Sequence, residues 1–163
     1  MLARRRLIVG SVATAAAALA SNWWWSLDTA GATFAVTHSD AEWRSLLTAE
    51  QYQVLRREAT ERPFTSPLLQ EHRRGTFHCA GCDVALFAST TKFESGTGWP
   101  SFWAPLDNAV STKADWSFGM RRTAVFCSRC GGHLGHLFDD GPKPTGLRYC
   151  MNGAAMTFKP ASA

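Results

Sequence analysis

Two Cys-x-x-Cys pairs, Cys79-Ala-Gly-Cys82 and Cys127-Ser-Arg-Cys130, constrain this chain more than any other feature. Each pair presents two sulfurs from one tight turn, and two such turns brought together supply four thiolates at tetrahedral geometry. That is the ligand set of a structural zinc site, with no coordination position left for a substrate. A small domain clamped in this way draws folding energy from the metal. Gly81 in the first turn, and Gly131 and Gly132 after the second, are the expected sources of backbone freedom. Two other uses of the pairs stay open: a pair of disulfides, or a redox-active Cys-x-x-Cys of the thioredoxin kind. The second needs a βαβ context, which the surrounding sequence lacks. A catalytic zinc of the deaminase type would need His-x-Glu ahead of its Cys-x-x-Cys, and no such triplet occurs. His133 and His136, close behind the second pair, are possible alternative ligands.

Around this clamp the chain reads as mainly β with a short helical N-terminal arm. Ser39-Asp-Ala-Glu42 and Thr48-Ala-Glu-Gln51 both have the capping-box form, in which a hydroxyl and an acid or amide side chain satisfy free amides at a helix start. Trp43, Leu46 and Leu47 follow the first box at helical spacing, and Tyr52 and Leu55 follow the second. The second helix should stop before Pro63, whose ring disfavours helix at Arg62. Beyond Pro67 the segments become short, aromatic and glycine-punctuated, with candidate strands at 75–79, 84–88, 113–118, 120–126, 134–138, 147–152 and 155–158. None requires a parallel crossover, so an antiparallel arrangement is the economical reading.

The N-terminal residues read as a processing segment rather than as structure. Arg4, Arg5 and Arg6 precede an alanine-rich apolar run that ends in small residues near Ala20, the order of a secretory signal. The arginines also resemble a twin-arginine export signal, the kind used by proteins exported already folded. We therefore expect an export signal at 1–20, a linker at 21–38 and one domain at 39–160, with a periplasmic location. The alternative is an uncleaved membrane anchor extending into Trp23-Trp24-Trp25. The charge excess resides in this leader: the full chain has 17 basic and 13 acidic residues, and the only charges in residues 1–20 are the three arginines. The remainder is close to neutral and gives little drive towards phosphate backbones, so no nucleic-acid partner is expected.

Four of the five cysteines belong to the pairs, and Cys150 stands alone. Cys150 is the one cysteine outside the metal set and so can act as a thiolate nucleophile. Arg148, two residues earlier and on the same face of a strand, is a cation placed to lower its pKa. The run Cys-Ser-Arg-Cys-Gly-Gly-His-Leu-Gly-His-Leu-Phe-Asp-Asp-Gly-Pro-Lys-Pro-Thr-Gly-Leu-Arg-Tyr-Cys-Met-Asn at 127–152 resembles the signature of the B-type peptide methionine sulfoxide reductases. Phe93-Glu-Ser-Gly-Thr-Gly-Trp-Pro-Ser-Phe102 is similar to their other hallmark, and the likeness extends over about residues 40–159. The resemblance implies a fold of two small antiparallel sheets and reduction of the R epimer of methionine sulfoxide in proteins and peptides. It implies Cys150 as the nucleophile that becomes a sulfenic acid. It implies His133 and His136 as the pair that positions and protonates the sulfoxide oxygen, and Asn152 as an amide beside the nucleophile. Trp99, with Phe102 beside it, is implied as the aromatic surface against the substrate methyl group.

One position departs from many members of that family. Thr97 stands where they carry a second, resolving cysteine, so Cys150 has no intramolecular disulfide partner outside the metal set. An external thiol reductant of thioredoxin-like type is then expected, acting on a monomeric enzyme. Two rival readings use the same residues. A zinc-ribbon-like module could hold a peptide with Trp99, Phe102 and Trp103 and perform no chemistry, leaving Cys150 dispensable. A thiol peroxidase could use Cys150 but gives no reason for the tryptophan.

Overall fold

The computed structural model describes residues 34–119 and 121–162; the expected export signal and residues 21–33 of the expected linker lie outside the described residues. Helices α1 (Asp40–Leu46) and α2 (Ala49–Arg57) form where the two boxes place them. In α1 the Ser39 hydroxyl accepts from the Glu42 amide at 3.3 Å, and the Glu42 carboxylate accepts from the Ser39 amide at 2.7 Å. In α2 Thr48 and Gln51 exchange the same two bonds at 3.2 and 3.0 Å. Helix α1 is so short that it buries one narrow stripe, Trp43 with Leu47 at its C-cap, while Leu46 is 60% exposed, against expectation. Helix α2 buries Tyr52, Val54 and Leu55 and ends where Glu58 turns left-handed (φ 55°), ahead of Pro63. The chain is already packed on the domain before Ser39: the Val36 amide donates to the Arg129 carbonyl at 3.0 Å, and the Phe34 ring lies directly over Gly131.

The rest is antiparallel β-structure in two sheets. Strands β1 (Gly75–Cys79) and β2 (Ala85–Ala88) form a hairpin; β3 (Lys92–Phe93) and β4 (Ser101–Phe102) are two residues each. Strands β5 (Val110–Asp115), β6 (Arg122–Cys127), β7 (His133–Phe138), β8 (Arg148–Met151) and β9 (Met156–Pro160) follow. The three-stranded sheet has the order β2-β1-β9, and the six-stranded sheet β3-β4-β8-β7-β6-β5. The pairs involving β3 and β4 are too short to carry a periodicity and were not among the expected strands. The expected strands at 113–118 and 120–126 shift to β5 and β6. Trp116, read as a strand residue, stands 69% exposed at the turn between them, where Gly119 takes a left-handed φ of 70°.

Aromatic rings join the two sheets. Phe102 stacks on Phe87 with centroids 4.4 Å apart and meets the edge of Phe77 at 4.9 Å. All three rings are fully buried, and each contributes about 1.5–3 kcal/mol by leaving water. Phe102 is therefore core and not part of a substrate surface: in β4 it pairs with Tyr149, while its neighbour Ser101 pairs with Cys150. Among the described residues no helix is long and apolar enough to cross a membrane.

Candidate active site and metal centre

Cys150 sits inside the six-stranded sheet, paired with Ser101 on one side and His136 on the other. It opens into a cleft of about 120 Å³, lined also by Trp99, Arg122, His136, Phe138 and Asn152. The β7 backbone passes close beneath: a Cβ at Gly135 would strike the Cys150 carbonyl and Met151 Cα, so this crossing requires glycine. Trp99 is fixed by its indole N–H, which donates to the Glu61 carbonyl at 3.2 Å. Asn152, buried, donates to the Leu134 carbonyl at 3.0 Å and accepts from the Glu61 amide at 3.0 Å.

The two histidines share one side of β7 because the strand is bulged. In a regular strand residues three apart face opposite sides. Here Val125 pairs with Gly135 and Phe126 with His133, so Leu134 is an extra residue and the rings come to 5.3 Å between centroids. Their environments differ sharply. His136 Nε2 meets the Asp115 carboxylate at 2.9 Å, and Arg122 holds the same oxygen at 2.6 Å. The Ser117 amide, with His136 and the Ser117 hydroxyl, holds that carboxyl well below the usual carboxylate range. His133 is 1% exposed, has no hydrogen-bond partner for either ring nitrogen, and touches Phe126. Burial, then His136, lowers its pKa to about 4, so at neutral pH its ring carries no proton to give as an imidazolium.

Burial also pushes the Cys150 thiol up, opposed first by the Thr97 hydroxyl at 3.8 Å from Sγ and then by the Arg148 charge. Arg148 is not a free cation beside the sulfur. Its Nε and Nη2 form a two-pronged pair with Asp140 at 2.7 and 2.8 Å, and its plane lies over Phe138. The expected lowering of the thiol pKa is thus present in direction but outweighed by burial.

The two cysteine turns have the same form. After each second cysteine comes a left-handed residue, Asp83 (φ 58°) or Gly131 (φ 68°), whose amide donates to the first cysteine's carbonyl at 2.8 or 2.9 Å. Asp83, rather than Gly81, takes the left-handed position in the first turn. Cys79 ends β1 and Cys127 ends β6, so the cluster ties the two sheets together. The four Sγ atoms lie within 4.8 Å of one another, with Cys79–Cys130 at 3.7 Å and Cys82–Cys127 at 3.5 Å, and all five cysteines are free thiols. Sulfurs at about 2.3 Å from a tetrahedral zinc stand about 3.8 Å apart, so the set fits one such ion.

The SelR domain family model matches residues 47–160, most of the described domain. The chain belongs to the B-type methionine sulfoxide reductases. It is 52% identical over 127 residues to a peptide methionine sulfoxide reductase MsrB of Leptospira interrogans, covering 77% of this chain and 97% of that protein. The MsrB of Agrobacterium fabrum is 54% identical over 77% of this chain and 93% of its own, and that of Pseudomonas putida strain W619 is 58% identical over 73% and 90%.

Seen as a B-type reductase, the domain gathers Cys150, His136, Asn152 and Trp99 around one cleft, with Arg148 behind the sulfur and His133 beneath the surface. Phe102 does not join them. Three residues that sequence reasoning missed support the group. Glu61 accepts from the Gly153 and Ala154 amides at 2.6 and 2.7 Å while holding Trp99 and Asn152 through its backbone. Asp115 holds His136, and Asp140 holds Arg148. Only Asp140 had a local signal, an acid close to Arg148 across the Gly-Pro turn; the other two lie far along the chain from the residues they position.

Proposed function

We propose that the protein reduces the R epimer of methionine sulfoxide in oxidised proteins and peptides, restoring methionine, with Cys150 as nucleophile. The observation that carries this reading is the one thiol outside the metal cluster, opening between Trp99 and His136 in a single cleft. The Cys150 sulfur attacks the sulfoxide sulfur. The oxygen, protonated from His136, then passes to the cysteine sulfur: its new S–O bond makes the sulfenic acid, while the S–O bond to the methionine sulfur and the S–S bond formed by the attack both break. Cysteine is oxidised by two electrons and the sulfoxide is reduced by two. A sulfoxide sulfur is a stereocentre, so placing its methyl on Trp99 and its oxygen towards His136 leaves the sulfur open to Cys150 in one hand only.

Recovery of the thiol needs an external reductant. One thiol condenses with the sulfenic acid, releasing water, and a second thiol resolves the mixed disulfide. The Cys79, Cys82, Cys127 and Cys130 cluster would hold a structural zinc ion, which would lock the sheets beside the cleft and supply no chemistry to it. We further propose a monomer served by a thioredoxin-like reductase and exported to the periplasm through the arginine-led signal at 1–20. Mass measurement of the mature chain distinguishes cleavage from retention as a membrane anchor.

The test of the activity is turnover of the separated R and S epimers of a blocked methionine sulfoxide with dithiothreitol, for wild type and Cys150→Ser. Reduction of R alone, lost in the variant, is expected. Zinc-loaded protein inactive on both epimers would establish a binding module instead.

A further inference from the structure

Four polar groups are linked in file beside the sulfur, with Ser101 itself reaching it. Thr97 Oγ1 lies 3.8 Å from Cys150 Sγ, Ser95 Oγ 2.9 Å from Thr97 Oγ1, and Ser101 Oγ 2.7 Å from Ser95 Oγ. Ser101 Oγ donates in turn to the Trp99 carbonyl at 3.2 Å. The file is built into the fold at both ends. Ser101 is 1% exposed and pairs with Cys150 across β4 and β8, while Thr97 stands in a tight turn between Gly96 (φ 73°) and Gly98 (φ 91°).

Each hydroxyl has one proton and can point it either way. With the thiol neutral, the carbonyl end sets the direction. Ser101 donates to Trp99, Ser95 to Ser101 and Thr97 to Ser95, and the thiol donates to Thr97. With the sulfur ionised the direction reverses: Thr97 donates to the thiolate, Ser95 to Thr97 and Ser101 to Ser95, and the Trp99 carbonyl gives up its donor from Ser101. The change needs three hydroxyl rotations and no movement of a heavy atom. The file does not carry the proton out, because it ends on an amide carbonyl, a far weaker base than a thiolate. The proton leaves through the open cleft, to water or to the sulfoxide oxygen.

We propose that Thr97, Ser95 and Ser101 form a reversible hydroxyl chain that turns to donate to Cys150 when it ionises, so that Thr97 activates the nucleophile. The inference rests on the reading of Cys150 as the reactive thiol. The Thr97 hydroxyl is the leading influence holding the thiol down against burial, with Arg148 and Ser101 behind it. The charged and titratable groups around the sulfur are Arg148, shared with Asp140, and, lining the same cleft, His136 and Arg122, both held on Asp115. None of these changes when Thr97 loses its hydroxyl.

The test is the pH dependence of Cys150 alkylation by iodoacetamide in the zinc-loaded protein, followed by peptide mass mapping, for wild type, Thr97→Val, Thr97→Ser and Ser95→Ala. A bond to an ionised sulfur at this length is worth about a fivefold change in the ionisation constant. Thr97→Val should therefore shift the profile to higher pH and slow alkylation about fivefold below its midpoint. Thr97→Ser should keep the wild-type profile, and Ser95→Ala should shift it in the same direction by about twofold. A Thr97→Val profile that superimposes on wild type overturns the proposal, as does a Thr97→Ser profile matching that of Thr97→Val. Should Thr97→Val not fold, an unshifted Ser95→Ala profile overturns it alone. Alkylation needs no sulfoxide, so failure here is distinguishable from failure of the proposed activity.

Discussion

Replacing Glu61 should loosen the cleft and destabilise the domain together. Its side chain is 6% exposed and accepts from the Gly153 and Ala154 amides, which immediately follow Asn152. Alanine leaves two amides without their acceptor, at about 1–3 kcal/mol each. An open groove lined by Glu61, Ser66 and Gly153 lets water reach them in part, so we expect Glu61→Ala to lose about 3 kcal/mol. Glutamine keeps one acceptor oxygen and turns an NH2 towards the second amide, for about 2 kcal/mol. Against a total of about 5–15 kcal/mol this is readily measured by urea unfolding with zinc in fixed excess. The pH dependence has a definite sign. Burial outweighs the two amides and raises the Glu61 pKa above its ordinary value of 4.5. The folded state then binds the proton more tightly than the unfolded chain. The contribution is fully present below about pH 4.5 and declines as pH rises through the raised folded value. Wild type should therefore lose stability relative to Glu61→Gln across that window, the cluster's own titration cancelling between the two. A Glu61→Ala loss below about 0.5 kcal/mol, within the range of an ordinary surface change, would refute the reasoning.

Three further outcomes are expected. Thr97→Cys should form an intramolecular disulfide with Cys150 on treatment with a methionine sulfoxide peptide, since the Thr97 side-chain oxygen already lies 3.8 Å from the sulfur; a mass two units lower after turnover checks it. The His133 ring should remain neutral from pH 8 down to about 5.5 in an NMR titration, because its pKa is lowered to about 4; a midpoint near 6.5 would show that the ring is not desolvated. Cys82→Ser should lose the metal, measured as zinc per chain, and lower the melting temperature by more than 10 °C, since the four sulfurs join the ends of β1 and β6.

Much of this site could be read from short windows. The paired cysteine turns and both capping boxes form within a few residues, so their partners are fixed by spacing alone. Strand β1 appears where the sequence placed it, and most other strands lie within one or two residues of expectation. The hairpin of β5 and β6 was misplaced because Trp116 and its neighbours have strand-like composition but occupy a turn. Phe102 was assigned to the substrate surface because it adjoins Trp99 in a glycine-rich run. Alternation along β4 sends it to the core, while Ser101 on the other side is the strand partner of Cys150.

The sequence by itself determined which groups this protein possesses: four paired sulfurs, one unpaired thiol, and the histidines, tryptophan and amide that accompany it. Tertiary structure decided what each of them does. An extra residue at Leu134 puts His133 and His136 on one side of β7, yet one is sealed beneath the surface and the other is held by Asp115. Asp140 takes up the charge of Arg148, and Glu61, 91 residues before Asn152, fixes the cleft wall. The physical reason is that a turn or cap closes over three or four residues, whereas desolvation, strand register and charge pairing depend on segments that meet only when the sheets assemble.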